Sequence, residues 1–85
     1  MKMIAVTTKN CNTVRISADY HLDTAKVYYH VYCHGKTFEF EEFAPAANVY
    51  KKLSERIENG EDFKCLLKNL VSAARAMGYK VQEAA

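Results

Sequence analysis

His30, Cys33 and His34 are the residues whose types and spacing first invite chemistry. Imidazole and thiolate are ligands for zinc, and structural zinc needs four ligands converging as a tetrahedron. A strand reading pulls these three apart. Side chains alternate across a strand, so His30 and His34 fall on one face and Cys33 on the other. Cys11 and His21 are the only extra candidates in the first half, and no CxxC pair exists. The three residues are therefore read as an exposed histidine, a turn histidine and a thiol at the edge of the core. No metal or cofactor is expected. General acid–base chemistry is the next candidate, with His30 opposite Glu39 as a base beside its orienting carboxylate. Ser17 and Thr37 are the hydroxyls within reach. No nucleophile, base and ligand set converges, and a cross-strand His–Glu pair serves sheet stability by itself. The chain is read as a binder, not an enzyme.

The third constellation is a surface. Arg15, Tyr28, His30, Tyr32, Glu39 and Glu41 are expected on one sheet face and form the candidate partner-binding site. Tyrosine and arginine are enriched at binding hot spots because they combine large contact area with hydrogen bonding. Aromatic residues also favour strands, so the same row is open to a second reading as a solvent-facing sheet surface. A further surface stays in view: Lys51, Lys52 and Arg56 on one predicted helix, Lys64, Lys68 and Arg75 on the next. Glu55 and Glu58 are interleaved with the first group, as on ordinary solvated helix faces.

The elements that must position these residues are legible from punctuation and period. Pro45, Gly35, Gly60 and Gly78 divide the chain. Met3 to Thr8 reads as a short β-branched strand, and Lys9 to Asn12 as a turn. Thr13 to Tyr20 alternates, with Val14, Ile16, Ala18 and Tyr20 on the core side. Lys26 to Phe43 reads as a hairpin around His34-Gly35, because glycine takes a positive φ without a Cβ clash. That register sets Tyr29 opposite Phe40, Val31 opposite Phe38, His30 opposite Glu39 and Tyr28 opposite Glu41. Pro45 suits the first turn of a helix carrying Val49, Tyr50, Leu53 and Ile57. A second helix is expected to start at Glu61-Asp62. Its apolar stripe is Phe63, Leu66, Leu67, Leu70, Val71, Ala74 and Met77. The expected fold is α+β: a four-stranded antiparallel β-meander with two C-terminal helices packed on one face. Tyr79 to Val81 is left as either a fifth strand or a tail.

Composition bounds the rest. The 85 residues are read as a single α+β domain over 1–85, long enough for one sheet-on-helix core. A hydrophobic share of 49% and a net charge of +2 are those of a folded globular chain, not a disordered one. Twelve basic side chains are nearly matched by ten acidic ones, which disfavours nucleic acid as the main partner. The sequence has no apolar run able to span a membrane. It opens on Met1-Lys2-Met3-Ile4 like a signal peptide but shows no h-region. Three cysteines, an odd number, then point to reduced thiols and a cytoplasmic location.

The hairpin KVYYHVYCHGKTFEFEEF followed by the helix pair APAANVYKKLSERIENGEDFKCLLKNLVSAARAMG resembles, in layout, small phage-borne inhibitors of the anti-CRISPR type. That resemblance covers about 60 residues and carries no motif, so it transfers no site residue. It implies a stoichiometric binder that blocks a larger host protein or nucleoprotein complex without catalysis. Many such inhibitors are acidic and mimic nucleic acid. This chain is slightly basic, so steric blocking or allosteric locking is expected instead. The alternative function is a small nucleic-acid-binding accessory protein.

Overall fold

Alternation before Pro45 and helical spacing after it produce one sheet and two helices. The computed structural model describes residues 2–84; Met1 and Ala85, the ends of the expected 1–85 domain, lie outside the described residues. The strands are β1 (Lys2–Lys9), β2 (Asn12–His21), β3 (Lys26–Cys33), β4 (Lys36–Phe40) and β5 (Lys80–Glu83). The helices are α1 (Phe43–Glu58) and α2 (Lys64–Ala76). All neighbouring strands are antiparallel, in the order β1-β2-β3-β4-β5. The sheet therefore has five strands rather than the expected four. The additional one is the segment after Gly78, which returns from α2 and pairs with β4, Val81 opposite Phe38 and Lys80 opposite Glu39.

The turns follow from local chemistry. His34 and Gly35 both take positive φ, 49° and 77°, as a two-residue hairpin turn of this twist requires. The expected hairpin register holds from Cys33↔Lys36 to Tyr29↔Phe40. Glu41 is the exception. β4 ends at Phe40, so Glu41 lies in a bend instead of pairing with Tyr28. Its carboxylate sits 3.6 Å from Lys26 Nζ. Asn10 and Cys11 make a second positive-φ turn between β1 and β2. A bulge between Met3 and Ala5 shifts the register of β1 by one residue. Bulges of this kind are common on edge strands.

The core lies between the sheet and the helices. Val14, Ile16, Val31, Cys33, Phe38 and Phe40 point into it from the sheet. Ala46, Val49, Leu53 and Ile57 meet them from α1; Phe63, Leu67, Val71 and Ala74 come from α2 and its approach. Tyr29, Leu66 and Leu70 pack on this cluster as half-buried members. Two expectations fail at the margins. Tyr20 has the parity of the core but is 59% exposed, and its cross-strand partner Val27 is exposed as well, so the core does not reach this end of the β2–β3 pair. Met77 is 73% exposed, because it is the C-cap residue of α2 and no longer follows the helical stripe.

The helices also start differently from their sequence signals. α1 begins at Phe43, so Pro45 stands inside its first turn. α2 begins at Lys64, with the Asp62 carboxylate accepting the Lys64 amide at 3.1 Å. α1 crosses β1 to β4, and α2 lies against β5 and α1. Thr7 Oγ1 ties β1 to α1 through hydrogen bonds with Tyr50 OH (2.7 Å) and Ser54 Oγ (2.8 Å). No described helix is long and apolar enough to cross a membrane.

Candidate functional site

The face of the sheet turned away from the helices carries the residues singled out in the sequence. Pairing fixes who stands beside whom. One cross-strand row runs Val6, Arg15, Tyr32, Thr37, Gln82; the next runs Met3, Ser17, His30, Glu39, Lys80. Asp19 pairs with Tyr28 at the far end. Arg15, Tyr28, His30, Tyr32 and Glu39 are thus brought together on one rigid surface, all half-buried among one another. Glu41 joins this group from the bend after β4. A cleft of about 410 Å³ opens where Tyr28, Glu39 and Glu41 meet Met77, Tyr79 and Lys80.

Three contacts order this surface. The Arg15 guanidinium lies 4.4 Å from the centre of the Tyr32 ring, a cation–π geometry that holds a long side chain flat on the sheet. His30 sits between two carboxylates, with Nδ1 2.5 Å from Asp19 Oδ2 and Nε2 3.1 Å from Glu39 Oε1. A neutral imidazole has one N–H and satisfies one of these acceptors; a doubly protonated ring satisfies both. Either way, each ring nitrogen already faces a carboxylate. Ser17 pairs with His30 in the ladder and is only 4% exposed, but the ring directs its nitrogens to Asp19 and Glu39. The sequence identified Glu39 as the partner of His30 and did not find Asp19, a diagonal neighbour on β2.

The sequence did not place Lys80, Gln82 or His21 on this surface. Lys80 and Gln82 reach this face only because β5 forms. The signal was a short alternation after Gly78, in which Tyr79 and Val81 are half-buried and Lys80 and Gln82 exposed. His21 lies edge-on to Tyr28, ring centres 4.7 Å apart.

The three residues with ligand chemistry diverge. His30 is on the open face and Cys33 is fully buried in the core. Burial pushes the Cys33 thiol up to about 11, since desolvation disfavours the thiolate. His34 was expected on the face of His30. Instead its ring packs 4.8 Å from Phe63, on the helix side, and its Nε2 is 3.1 Å from Asn12 Oδ1. The left-handed turn backbone at His34 ends the strand alternation on which that expectation rested.

The basic helix surface divides in two. Arg56 braces the connection between the helices, donating to the Asp62 carbonyl at 3.2 Å with its Nε 3.5 Å from Glu61. Lys52 lies beside it. Lys64, Lys68 and Arg75 line a separate groove on α2. Compared with known proteins, the chain matches no family model, no characterised sequence and no solved structure.

Proposed function

We propose that this chain is a small non-catalytic binding protein that uses the open face of its sheet to occlude a larger protein or nucleoprotein complex. The observation that carries the reading is the ordered row of Arg15, Tyr32, His30 and Tyr28 on one rigid face. Rigid aromatic area binds at low entropy cost, and charges around it select the partner. Asp19, Glu39 and Glu41 stand among Arg15, Lys26 and Lys80, a mixed-charge surface that suits a polar protein partner and gives phosphate no concentrated cation cluster. The layout resemblance to anti-CRISPR-type inhibitors supports a phage or mobile-element inhibitor as the class. A net charge of +2 favours blocking over nucleic-acid mimicry. His30 engaged by two carboxylates agrees with a structural part for that residue rather than a catalytic one. The test is a pull-down from bacterial lysate with mass spectrometry, run in parallel with the Tyr28→Ala/Tyr32→Ala variant. A partner retained by the native chain and lost by the folded variant supports the reading. A partner retained equally by both contradicts it.

A further inference from the structure

A groove of about 500 Å³ lies on the helix side of the molecule, between α2 and the β4–β5 edge. Its α2 wall is built from two adjacent ridges at i, i+4 spacing: Lys64, Lys68 and Ser72 on one, Leu67, Val71 and Arg75 on the other. Leu67 and Val71 form its floor and are each only 5% exposed, so its accessible apolar lining comes mainly from the aliphatic stems of Lys64, Lys68 and Arg75. Lys36 and Glu83 form the opposite wall, with His34 at one end. Lys36 and Glu39 alternate on β4, so this groove and the open face look in opposite directions.

The charge here is segregated. Four of the chain's twelve basic side chains line the groove, against one of its ten acidic ones. That one acid is already engaged. Glu83 Oε1 is 2.7 Å from Lys36 Nζ, whose hydrogen bond and charge hold the Glu83 carboxyl below its usual range. Arg75 donates to the Val81 carbonyl at 3.1 Å, which fixes its guanidinium at the strand edge. Among the described residues, neither Lys64 nor Lys68 meets a carboxylate.

We propose that this groove is a second binding site, built for an acidic amphipathic peptide segment of a protein partner. Lys64 and Lys68 receive its carboxylates, and the aliphatic side-chain stems over the Leu67–Val71 floor take its apolar side chains. Length agrees. The eleven-residue step from Lys64 to Arg75 rises about 16 Å along the helix, the span of roughly five residues of extended chain. Single-stranded nucleic acid fits less well, because it binds on aromatic stacking platforms and the base of this groove is aliphatic. The inference is independent of the open-face reading.

Fluorescence anisotropy with the full chain tests it. The probes are a labelled hexapeptide of alternating glutamate and leucine, its lysine–leucine counterpart, an all-glutamate hexapeptide and an oligothymidylate. The glutamate–leucine peptide is expected to bind best. The all-glutamate peptide should bind about fivefold more weakly, having lost its apolar contacts. Lys64→Glu/Lys68→Glu changes two exposed positions and should weaken the glutamate–leucine peptide about tenfold while circular dichroism stays native. Tyr28→Ala/Tyr32→Ala should leave this binding unchanged. No detectable glutamate–leucine binding, binding indifferent to the charge reversal, or tighter binding of either the lysine–leucine peptide or oligothymidylate would overturn the proposal.

Discussion

Tyr28 and Tyr32 owe their usefulness to where their rings stop. Both are half-buried among side chains of the open face and neither belongs to the core cluster. Tyr28→Ala and Tyr32→Ala should therefore melt close to the native protein. Each is expected to weaken partner binding by about 1–2 kcal/mol, read by calorimetric titration with the captured partner. Tyr32 carries the additional task of holding Arg15 flat, so Arg15→Ala should reproduce part of the Tyr32→Ala loss and not add to it fully. Cys33 is the opposite kind of residue: it is all core and no surface. With its thiol pushed up to about 11, it stays protonated at neutral pH, and the thiolate is the nucleophile. Alkylation of the folded chain near pH 8 should label the exposed Cys11 and Cys65 and spare Cys33 until denaturant is added. The folded state holds the Cys33 proton more tightly than the unfolded chain. That contribution to stability is full below the ordinary thiol value of 9.0 and is lost as pH rises through about 11.

At the scale of elements, the hairpin β3–β4 is the part on which the most depends. It supplies the central row of the open face and, on its other side, the stacked pair Phe38 and Phe40. Phe40 is 2% exposed and also meets Tyr79 edge-on at 4.8 Å. Phe40→Ala should cost roughly 3–5 kcal/mol by denaturant titration, a large share of what a small domain possesses. Gly35→Ala tests the turn separately. A Cβ there would meet the Ala84 Cβ at an ordinary 3.5 Å, so the cost is conformational, about 1–2 kcal/mol for an L-residue at a φ of +77°. This hairpin was legible in the sequence because three signals agreed. Its strands alternate, its turn residues tolerate positive φ, and only this register or one shifted by two puts all apolar positions on one face. The fifth strand was not legible to the same degree. It has four residues, and its one apolar member, Val81, gains its meaning, with Tyr79 just before it, only once Phe38 and Phe40 stand beside them. Missing β5 hid Lys80 and Gln82 from the candidate surface. The side-chain direction of His34 and the bracing role of Arg56 were hidden for another reason. Both depend on tertiary neighbours, Phe63 and Asp62, that periodicity does not reveal.

At the scale of the whole molecule, a near-neutral net charge conceals two surfaces of different character. The open sheet face mixes Asp19, Glu39 and Glu41 with Arg15, Lys26 and Lys80 around its tyrosines; the α2 groove gathers Lys36, Lys64, Lys68 and Arg75 against Glu83 alone. This arrangement bears directly on nucleic acid as a partner. Affinity for phosphate backbones grows with the number of cations that displace counterions together, and it falls steeply with salt. The groove offers few such cations, some already engaged, and the aromatic face that would stack bases carries carboxylates. Gel shifts with single- and double-stranded DNA and RNA should show weak binding that disappears between about 50 and 200 mM salt. Submicromolar binding that survives physiological salt would contradict this and make a nucleic-acid accessory protein the better reading. The same segregation makes the surfaces separable by mutation. Arg56 braces the loop between the helices, so a helix-face control is better made at Lys51 and Lys52, both exposed. Tyr28→Ala/Tyr32→Ala and Lys51→Glu/Lys52→Glu, tested in one binding assay, should divide cleanly. The tyrosine pair should lose the partner, and the lysine pair should change mainly association rate and salt dependence. If only the lysine pair abolishes binding while circular dichroism stays native, the contact lies on α1 and the tyrosines serve the sheet alone.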